Sequence, residues 1–323
     1  MMYDVNPKVD LAFKKIFGVE ENKDLTISLL NSIVSEEDQV EDITFLNPYN
    51  IQNFDKDKLS VLDIKAKGHN GKLFNIEIQV AEEADYPKRA LYYWSRLYSE
   101  QMKTGQAYGT LEKAIGIHIL NFNCIDSATS DKYHHTFCPR EKNLGFEFYE
   151  DMEIHTIELP KFEKEVAENL KDFVHKVKTS LDVWTTFLTK YDLLNPNELP
   201  KELNNPELKK ALGVLGHINF DPQERGLYQE RLDFIRLQTS VLKQRYIVGL
   251  QDGEARGIEK GIKEGIKEGE ARGKEEGIKE GKKLVAVSLL QEGLAIATIS
   301  KATGLKEEEI LEIKNDQATL KAV

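Results

Sequence analysis

The stretch KLSVLDIKAKGHNGKLFNIEIQV, residues 58–80, decides the fold of this chain. Two segments rich in β-formers and alternating with polar residues flank the turn-forming sequence KGHNG. Such an arrangement predicts a β-hairpin. A three-residue loop of His69, Asn70 and Gly71 favours a left-handed backbone in its last position, and glycine adopts that backbone readily.

This loop fixes which residues of the two strands lie opposite each other. Gly68 pairs with Lys72, and counting back along both strands places Asp63 opposite Glu77. Directly opposed residues share one face of a sheet, and Gln79, two residues beyond Glu77, lies on that same face. The hairpin therefore predicts two carboxylates and an amide side by side.

Lys65 lies on this face as well. Two opposed carboxylates repel each other unless a cation lies between them, and such oxygen ligands suit a hard divalent ion such as Mg²⁺. A divalent ion can activate water and neutralise charge on a phosphate during transfer. The same pattern also fits a solvated sheet face, and the spacing alone leaves both interpretations open.

Hydrophobic periodicity predicts the elements around the hairpin. Apolar residues recur at three- and four-residue steps over residues 9–34, which predicts helix with a break at Gly18. A further helix is predicted over residues 87–104, with Pro87 in its first turn and Gly105 at its end. Strand-like runs occupy residues 41–47, 113–122, 133–139 and 151–160.

The C-terminal half differs from the N-terminal half in its periodicity and composition. Residues 161–250 have helical spacing and predict a helical extension. From Gly253 to Gly281 every fourth residue is glycine, and the spacers are mostly Glu, Lys, Arg and Ile. Each glycine costs a helix about 1 kcal/mol relative to alanine. The segment 251–282 is therefore predicted to be either a solvated, easily melted helix or a flexible tether. Close helix–helix packing through the glycines is the alternative.

The last segment, residues 283–323, predicts a small helix-turn-helix-like element. Gly293 and Gly304 are placed to end helices. The second helix would contain KEEEILEIKN, whose glutamates would face phosphates unfavourably. We therefore expect this helical tail to dock a protein partner or a second copy of the chain rather than to read bases.

Composition excludes several classes of protein. Of 323 residues 40% are hydrophobic, enough for a packed core, which excludes wholesale disorder. The net charge of −11 excludes a generally basic DNA-coating protein but allows a local basic groove. Cys124 and Cys138, without a CxxC motif, exclude a disulfide scaffold and a zinc ribbon and fit a reducing compartment. With neither a membrane-length apolar run nor a signal-peptide pattern, we expect a cytoplasmic protein.

Four stretches, in this order, carry a resemblance to a known family: VDLAFKKIFG, LDIKAKGHNGKLFNIEIQ, PKRALYYWSRLYSEQMKTGQAY and IGIHILNF. They resemble the Rpn family, recombination-promoting nucleases and transposases of the PD-(D/E)XK nuclease superfamily. The resemblance is close over about residues 5–160 and implies a nuclease-like domain over residues 1–160. It implies an α/β fold with a mixed sheet flanked by helices, followed by an all-helical C-terminal extension. It also implies DNA as partner and Mg²⁺- or Mn²⁺-dependent endonuclease activity, linked to recombination or mobile elements.

The resemblance also implies roles for individual residues. Asp63 and Glu77 correspond to the two metal-binding acids, and the Ile78 carbonyl contributes a further ligand. Asp10, in the first helix, corresponds to the extra acid that such nucleases carry on their first core helix. Gln79 stands where the superfamily usually has lysine. Because glutamine supplies neither a positive charge nor a general base, the alternative is a catalytically weakened nuclease fold that binds DNA or protein.

Three further side chains complete the hypothesis. Lys65 is expected to substitute in part for the lysine that Gln79 replaces. Arg89 and Tyr93 lie four residues apart, hence on one helix face, and the resemblance includes both. They are candidates to bind the scissile phosphate, since arginine offers a bidentate contact. The alternative for this pair is a surface ion pair and a packing tyrosine.

His118, in an apolar run, is interpreted as a core histidine.

Overall fold

The computed structural model describes residues 4–47, 64–82, 85–164 and 174–321 of the chain. The strands of this part are β1 (Ile43–Phe45), β2 (Ile64–Gly68), β3 (Leu73–Gln79), β4 (Ala114–Leu120), β5 (His134–Phe137) and β6 (Met152–Glu158). The α-helices are α1 (Asp10–Phe17), α2 (Lys23–Ile33), α3 (Tyr86–Ser99), α4 (Leu159–Lys164), α5 (Ser180–Lys190), α6 (Pro206–His217), α7 (Pro222–Gln291), α8 (Ile296–Thr303) and α9 (Glu307–Lys321).

The six strands form one mixed sheet in the order β1-β2-β3-β4-β6-β5. The β1–β2 and β2–β3 pairs are antiparallel, the β3–β4 and β4–β6 pairs are parallel, and β5 is antiparallel to β6. All seven residues of β4 are buried, as expected for a central parallel strand covered on both faces. The predicted mixed α/β sheet with flanking helices is therefore confirmed.

Helix α3 covers the sheet face that carries Glu77. Trp94 and Leu97 of this helix pack against Leu73, Ala114 and Ile154 of three neighbouring strands. The indole of Trp94 also donates a hydrogen bond of 2.7 Å to the carbonyl of Ala114. Because this bond is buried, it fixes the rotation of α3 over the sheet.

The opposite sheet face forms the main hydrophobic core. The isoleucines at positions 76, 117 and 157 pack there with α1 and α2, which are separate helices on either side of Gly18, as predicted. The same core contains α5 and α6: the Trp184 and Phe17 rings meet edge to face at 5.3 Å between centroids. Packing is thus continuous across residue 160, where the sequence predicts the end of the nuclease-like domain.

Contacts divide the chain into two compact units, Met1–Ser240 and Val241–Val323. In the second unit the glycine-repeat segment is helical throughout and lies within α7. A Cβ atom built at any glycine from Gly253 to Gly281 would meet open space. Exposed pairs such as Lys263 and Glu259, whose charged atoms lie 2.6 Å apart, offset part of the helix cost of glycine.

Beyond α7, two short helices pack on its C-terminal end around Ala286, Ile299 and Ile310. Gly293 and Gly304 have positive φ angles of 82° and 70°, and both follow the end of a helix, as predicted. Across the described residues, none of the helices combines the length and the apolar composition that crossing a membrane requires.

Candidate active site

The β2–β3 hairpin has the register that its sequence predicts. Ile64 pairs with Ile76 and Lys65 with Asn75, and the Gly68 amide donates a 2.8 Å hydrogen bond to the Lys72 carbonyl. Gly71 ends the loop with a φ of +89°. The predicted register and the left-handed glycine are therefore confirmed for the described pairs. Asp63 lies outside the described residues, so its pairing with Glu77 stays a prediction.

Glu77 is a buried carboxylate with two cationic or polar neighbours. Its side chain points to the α3 side of β3 and the residue is 2% exposed. The Arg89 guanidinium donates a 2.7 Å hydrogen bond to Oε1, and His118 Nδ1 lies 3.5 Å from Oε2. Burial pushes the pKa of the Glu77 carboxyl up, but the contacts with His118 and Arg89 outweigh burial and hold it below its usual range. Glu77 is thus ionised at neutral pH, as a metal ligand must be.

His118 is buried in the core, as interpreted from the sequence, but it also belongs to this site. It lies directly beside Glu77 in the parallel β3–β4 ladder and is fully buried. The Tyr86 hydroxyl, at the start of α3, lies 2.7 Å from His118 Nδ1. A Cβ atom at Gly116 would come within 3.2 Å of His118 Nε2, so this glycine makes room for the imidazole. Tyr86 and His118 therefore fix one side of the Glu77 carboxylate.

Arg89 and Tyr93 lie on one face of α3, as predicted from their spacing. The guanidinium carbon of Arg89 lies 5.3 Å from the centre of the Tyr93 ring, within the range of a cation–π contact. Arg89 forms an ion pair with the buried Glu77. The side chain of Arg89 is 19% exposed, so part of the guanidinium borders solvent. Phosphate binding by these two residues stays a prediction.

A cavity of about 80 Å³ lies at the C-terminal end of β3. It brings together three residues of the predicted site, Asp10, Ile78 and Gln79, with residues of α7 that include Arg231. Asp10 Oδ1 accepts a 2.8 Å hydrogen bond from the Leu11 amide, and Oδ2 lies 3.6 Å from Arg231 Nε. Burial raises the pKa of Asp10, and Arg231 offsets this only in part. Gln79 donates a 3.3 Å hydrogen bond to the Ala81 carbonyl.

Lys65 does not lie next to Gln79. It lies opposite Asn75, four residues before Gln79 on the same strand, which is a separation of about 13 Å along β3. Its ammonium group lies 3.0 Å from Glu100, just past the end of α3. A shared sheet face therefore does not place the two side chains together, and the proposed compensation for the missing lysine stays a prediction.

Within the ranges that the structure describes, no three His, Cys, Asp or Glu side chains lie close enough together to hold a metal ion. The predicted ligand set includes Asp63, which is outside these ranges. Among the described residues, Glu77 Oε2 and His118 Nε2 are buried without a hydrogen-bond partner. A buried carboxylate oxygen without a donor is a group that a hard cation would satisfy.

A comparison with protein families gave one match, to the family described as PD-(D/E)XK nuclease family transposase, over residues 7–245. The chain belongs to this PD-(D/E)XK family. The match runs from α1 through the sheet into the first part of α7, so it includes both Asp10 and Arg231. No curated protein and no solved structure gave a match.

Sequence reasoning did not assign three residues that border the candidate site: Tyr86, His118 and Arg231. His118 lies beside Glu77 because β3 and β4 are parallel neighbours in the sheet. The apolar run that contains His118 predicts the strand β4. Arg231 had no such signal, because its position depends on how α7 packs against the N-terminal residues.

Proposed function

We propose that this chain is a metal-dependent DNA endonuclease of the PD-(D/E)XK family. The observation that carries the proposal is Glu77: a buried, ionised carboxylate at the hairpin position where the family pattern requires an acid. The cavity that joins Asp10, Ile78 and Gln79 lies at the end of the same strand. Membership of a transposase family supports a link to recombination or mobile elements.

The residues of the site fit Mg²⁺ or Mn²⁺. Glu77, Asp10 and the Ile78 carbonyl offer hard oxygen donors, and we propose Asp63 as the fourth contributor. When bound, the ion activates water for attack on a backbone phosphate and neutralises the charge that develops there. Glu77 has to be ionised for this purpose, and the pKa-lowering contacts with His118 and Arg89 provide that condition.

The remaining residues have roles that follow from their chemistry. Gln79 has an amide that can hydrogen-bond to water or a phosphate oxygen but cannot accept a proton as a base. Arg89 has a planar guanidinium at the solvent border of the site, suited to a bidentate phosphate contact. We propose that Arg89 and Tyr93 bind the substrate phosphate. The compartment proposed for this activity is the cytoplasm.

A plasmid-nicking assay tests the proposal. The full chain should nick supercoiled DNA with Mg²⁺ and fail to do so after chelation. Glu77→Gln keeps the shape of the side chain and removes its charge, so it should abolish nicking. Glu153→Gln is the matched control: it removes another ion-paired carboxylate, on the opposite sheet face, where Glu153 lies 3.0 Å from Lys113. Nicking that persists in Glu77→Gln would point to a contaminating nuclease.

The second candidate function is a nuclease fold that binds DNA or protein without cleaving it. Two features favour it: Gln79 in place of lysine, and the guanidinium of Arg89 bound to the proposed metal ligand Glu77. This candidate predicts DNA binding without nicking in both Mg²⁺ and Mn²⁺. The nicking assay together with a binding measurement separates the two functions.

A further inference from the structure

Helix α7 contributes one wall of the candidate active site. Arg231, Phe234 and Ile235 line the same cavity as Asp10 and Gln79. Arg231 lies in the region that the sequence predicts as a helical extension, and no motif in the hairpin points to it. It thus adds an arginine to the cavity that contains Asp10 and Gln79.

This part of α7 is firmly attached to the N-terminal segment that contains Asp10. The Tyr228 hydroxyl accepts a 2.8 Å hydrogen bond from the Asn6 amide, and the tyrosine is buried. One turn earlier, the buried carboxylate of Glu224 lies 2.7 Å from the Lys15 ammonium group. Arg231 follows Tyr228 by three residues, so a fixed helix positions its side chain over the cavity.

The contact between Arg231 and Asp10 is loose. The distance of 3.6 Å between Nε and Oδ2 exceeds that of a hydrogen bond, and the Arg231 side chain is 50% exposed. Its guanidinium can therefore leave Asp10 without breaking a buried hydrogen bond. A cation held by Asp10 would take over the neutralisation of that carboxylate, and the guanidinium would then be available to another anion.

We propose that Arg231, on α7, binds a backbone phosphate of the DNA substrate at this cavity. The inference rests on the proposed endonuclease function. A planar guanidinium matches two phosphate oxygens, and Arg231 lines the same cavity as Asp10 and Gln79, two residues of the candidate site. Arg231 and Arg89 then contact the DNA from two different helices.

The alternative is that Arg231 is only a counterion for Asp10, and Arg236 provides the matched control. Arg236 lies on the same helix and is also ion-paired, with 3.2 Å between its Nη1 and Asp233 Oδ1. It lines a different cavity, next to Asp4 and Leu215. Replacing either arginine removes one positive charge from α7, but only Arg231 borders the candidate site.

The experiment is DNA binding by the full chain as a function of salt, in Ca²⁺, with a gel to confirm that the DNA stays intact. Each phosphate contact contributes about −0.9 to the slope of log affinity against log salt. Arg231→Ala should reduce the steepness of this slope by about one and the affinity about tenfold at low salt. Arg236→Ala should match the wild type in both.

Failure of this inference and failure of the proposed function give different results. A wild-type slope in Arg231→Ala, with wild-type nicking intact, refutes the phosphate contact alone. Absence of both DNA binding and nicking in the wild type refutes the proposed function as well. If the alanine variant does not fold, Arg231→Lys replaces it: the lysine keeps the charge and loses the planar fork, so the slope should persist while affinity falls several-fold. Unchanged affinity in that variant contradicts the proposal.

Discussion

Replacing Arg89 with alanine should destabilise the protein in the absence of divalent ions. The change removes a 2.7 Å charge-assisted hydrogen bond to a buried carboxylate. Hydrogen bonds to charged groups contribute about 1.5–3 kcal/mol, and the partial exposure of the guanidinium places the expected loss at about 2 kcal/mol. For a unit the size of Met1–Ser240 this corresponds to a fall in Tm of about 4–8 °C.

The assay is thermal unfolding of the wild type, Arg89→Ala, Glu77→Gln and the double variant, which together form a double-mutant cycle. If the two side chains interact as the structure describes, Arg89→Ala should have little effect once Glu77 has lost its charge. A saturating concentration of Mn²⁺ should reduce the difference in Tm between the wild type and Arg89→Ala, because the cation replaces the guanidinium as the partner of Glu77.

Two results would refute this reasoning. A coupling free energy within about 0.5 kcal/mol of zero would mean that Arg89 and Glu77 act independently. An Arg89→Ala deficit that stays constant as Mn²⁺ is added would mean that the ion does not bind at Glu77. Arg96→Ala is the control, because Arg96 lies on the same helix as Arg89 and pairs with the exposed Glu100, so its loss should change Tm little.

Three further predictions concern the amide, the tail and pH. Gln79→Ala should reduce plasmid nicking and leave some activity, whereas Glu77→Ala should abolish it; equal and negligible effects of both would place the chemistry elsewhere. Deletion of residues 250–323 should leave the Tm of the remaining chain unchanged, because the hydrophobic core of the first unit lies entirely before residue 240, and a collapsed melting transition would show that the tail packs on that core. Asp38 lies 2.6 Å from Lys113. Burial raises the pKa of the Asp38 carboxyl, but its hydrogen bonds with lysine lower it by more, so the folded-state pKa lies below the ordinary value. Because its folded-state pKa is depressed, the stabilisation is present above the ordinary value of 3.8 and is lost as pH falls through the folded-state pKa, so the Tm deficit of Asp38→Asn should be full at pH 7 and shrink below about pH 4.

The hairpin could be predicted from sequence because its register depends on local features. The loop length and Gly71 fix which residues pair, and the alternation of side chains then assigns Glu77 and Gln79 to one face. The position of Lys65 on that face was predicted correctly. A shared face does not by itself bring Lys65 near Gln79, because the distance between two side chains on one face also depends on how far apart they lie along the strands.

The partners of Glu77 and Asp10 could not be predicted in the same way. His118 reaches Glu77 because β4 is the parallel neighbour of β3, and strand order is a property of the whole sheet. Arg231 reaches Asp10 only because Tyr228 and the preceding turn of α7 pack on the N-terminal residues. Both contacts join residues far apart in sequence, for which periodicity carries no information.

The glycine-repeat segment shows the limit of propensity arguments. Eight glycines make an isolated helix marginal, and the sequence left helix and tether open. The segment is helical as part of α7, which also extends over the residues before and after the repeat. A helix that nucleates in those flanking residues can propagate through the repeat at a lower free-energy cost than nucleation within the repeat itself would require.

The most direct test of the metal site is a crystal of the full chain soaked in Mn²⁺, with anomalous diffraction used to locate the ion. One strong peak should lie within coordination distance of a Glu77 carboxylate oxygen, with Asp63, Asp10 or the Ile78 carbonyl completing the oxygen ligands. The Arg89 guanidinium should no longer donate to the oxygen that binds the ion. A crystal at saturating Mn²⁺ with no peak at Glu77, or with the ion bound only at other carboxylates, would contradict the account.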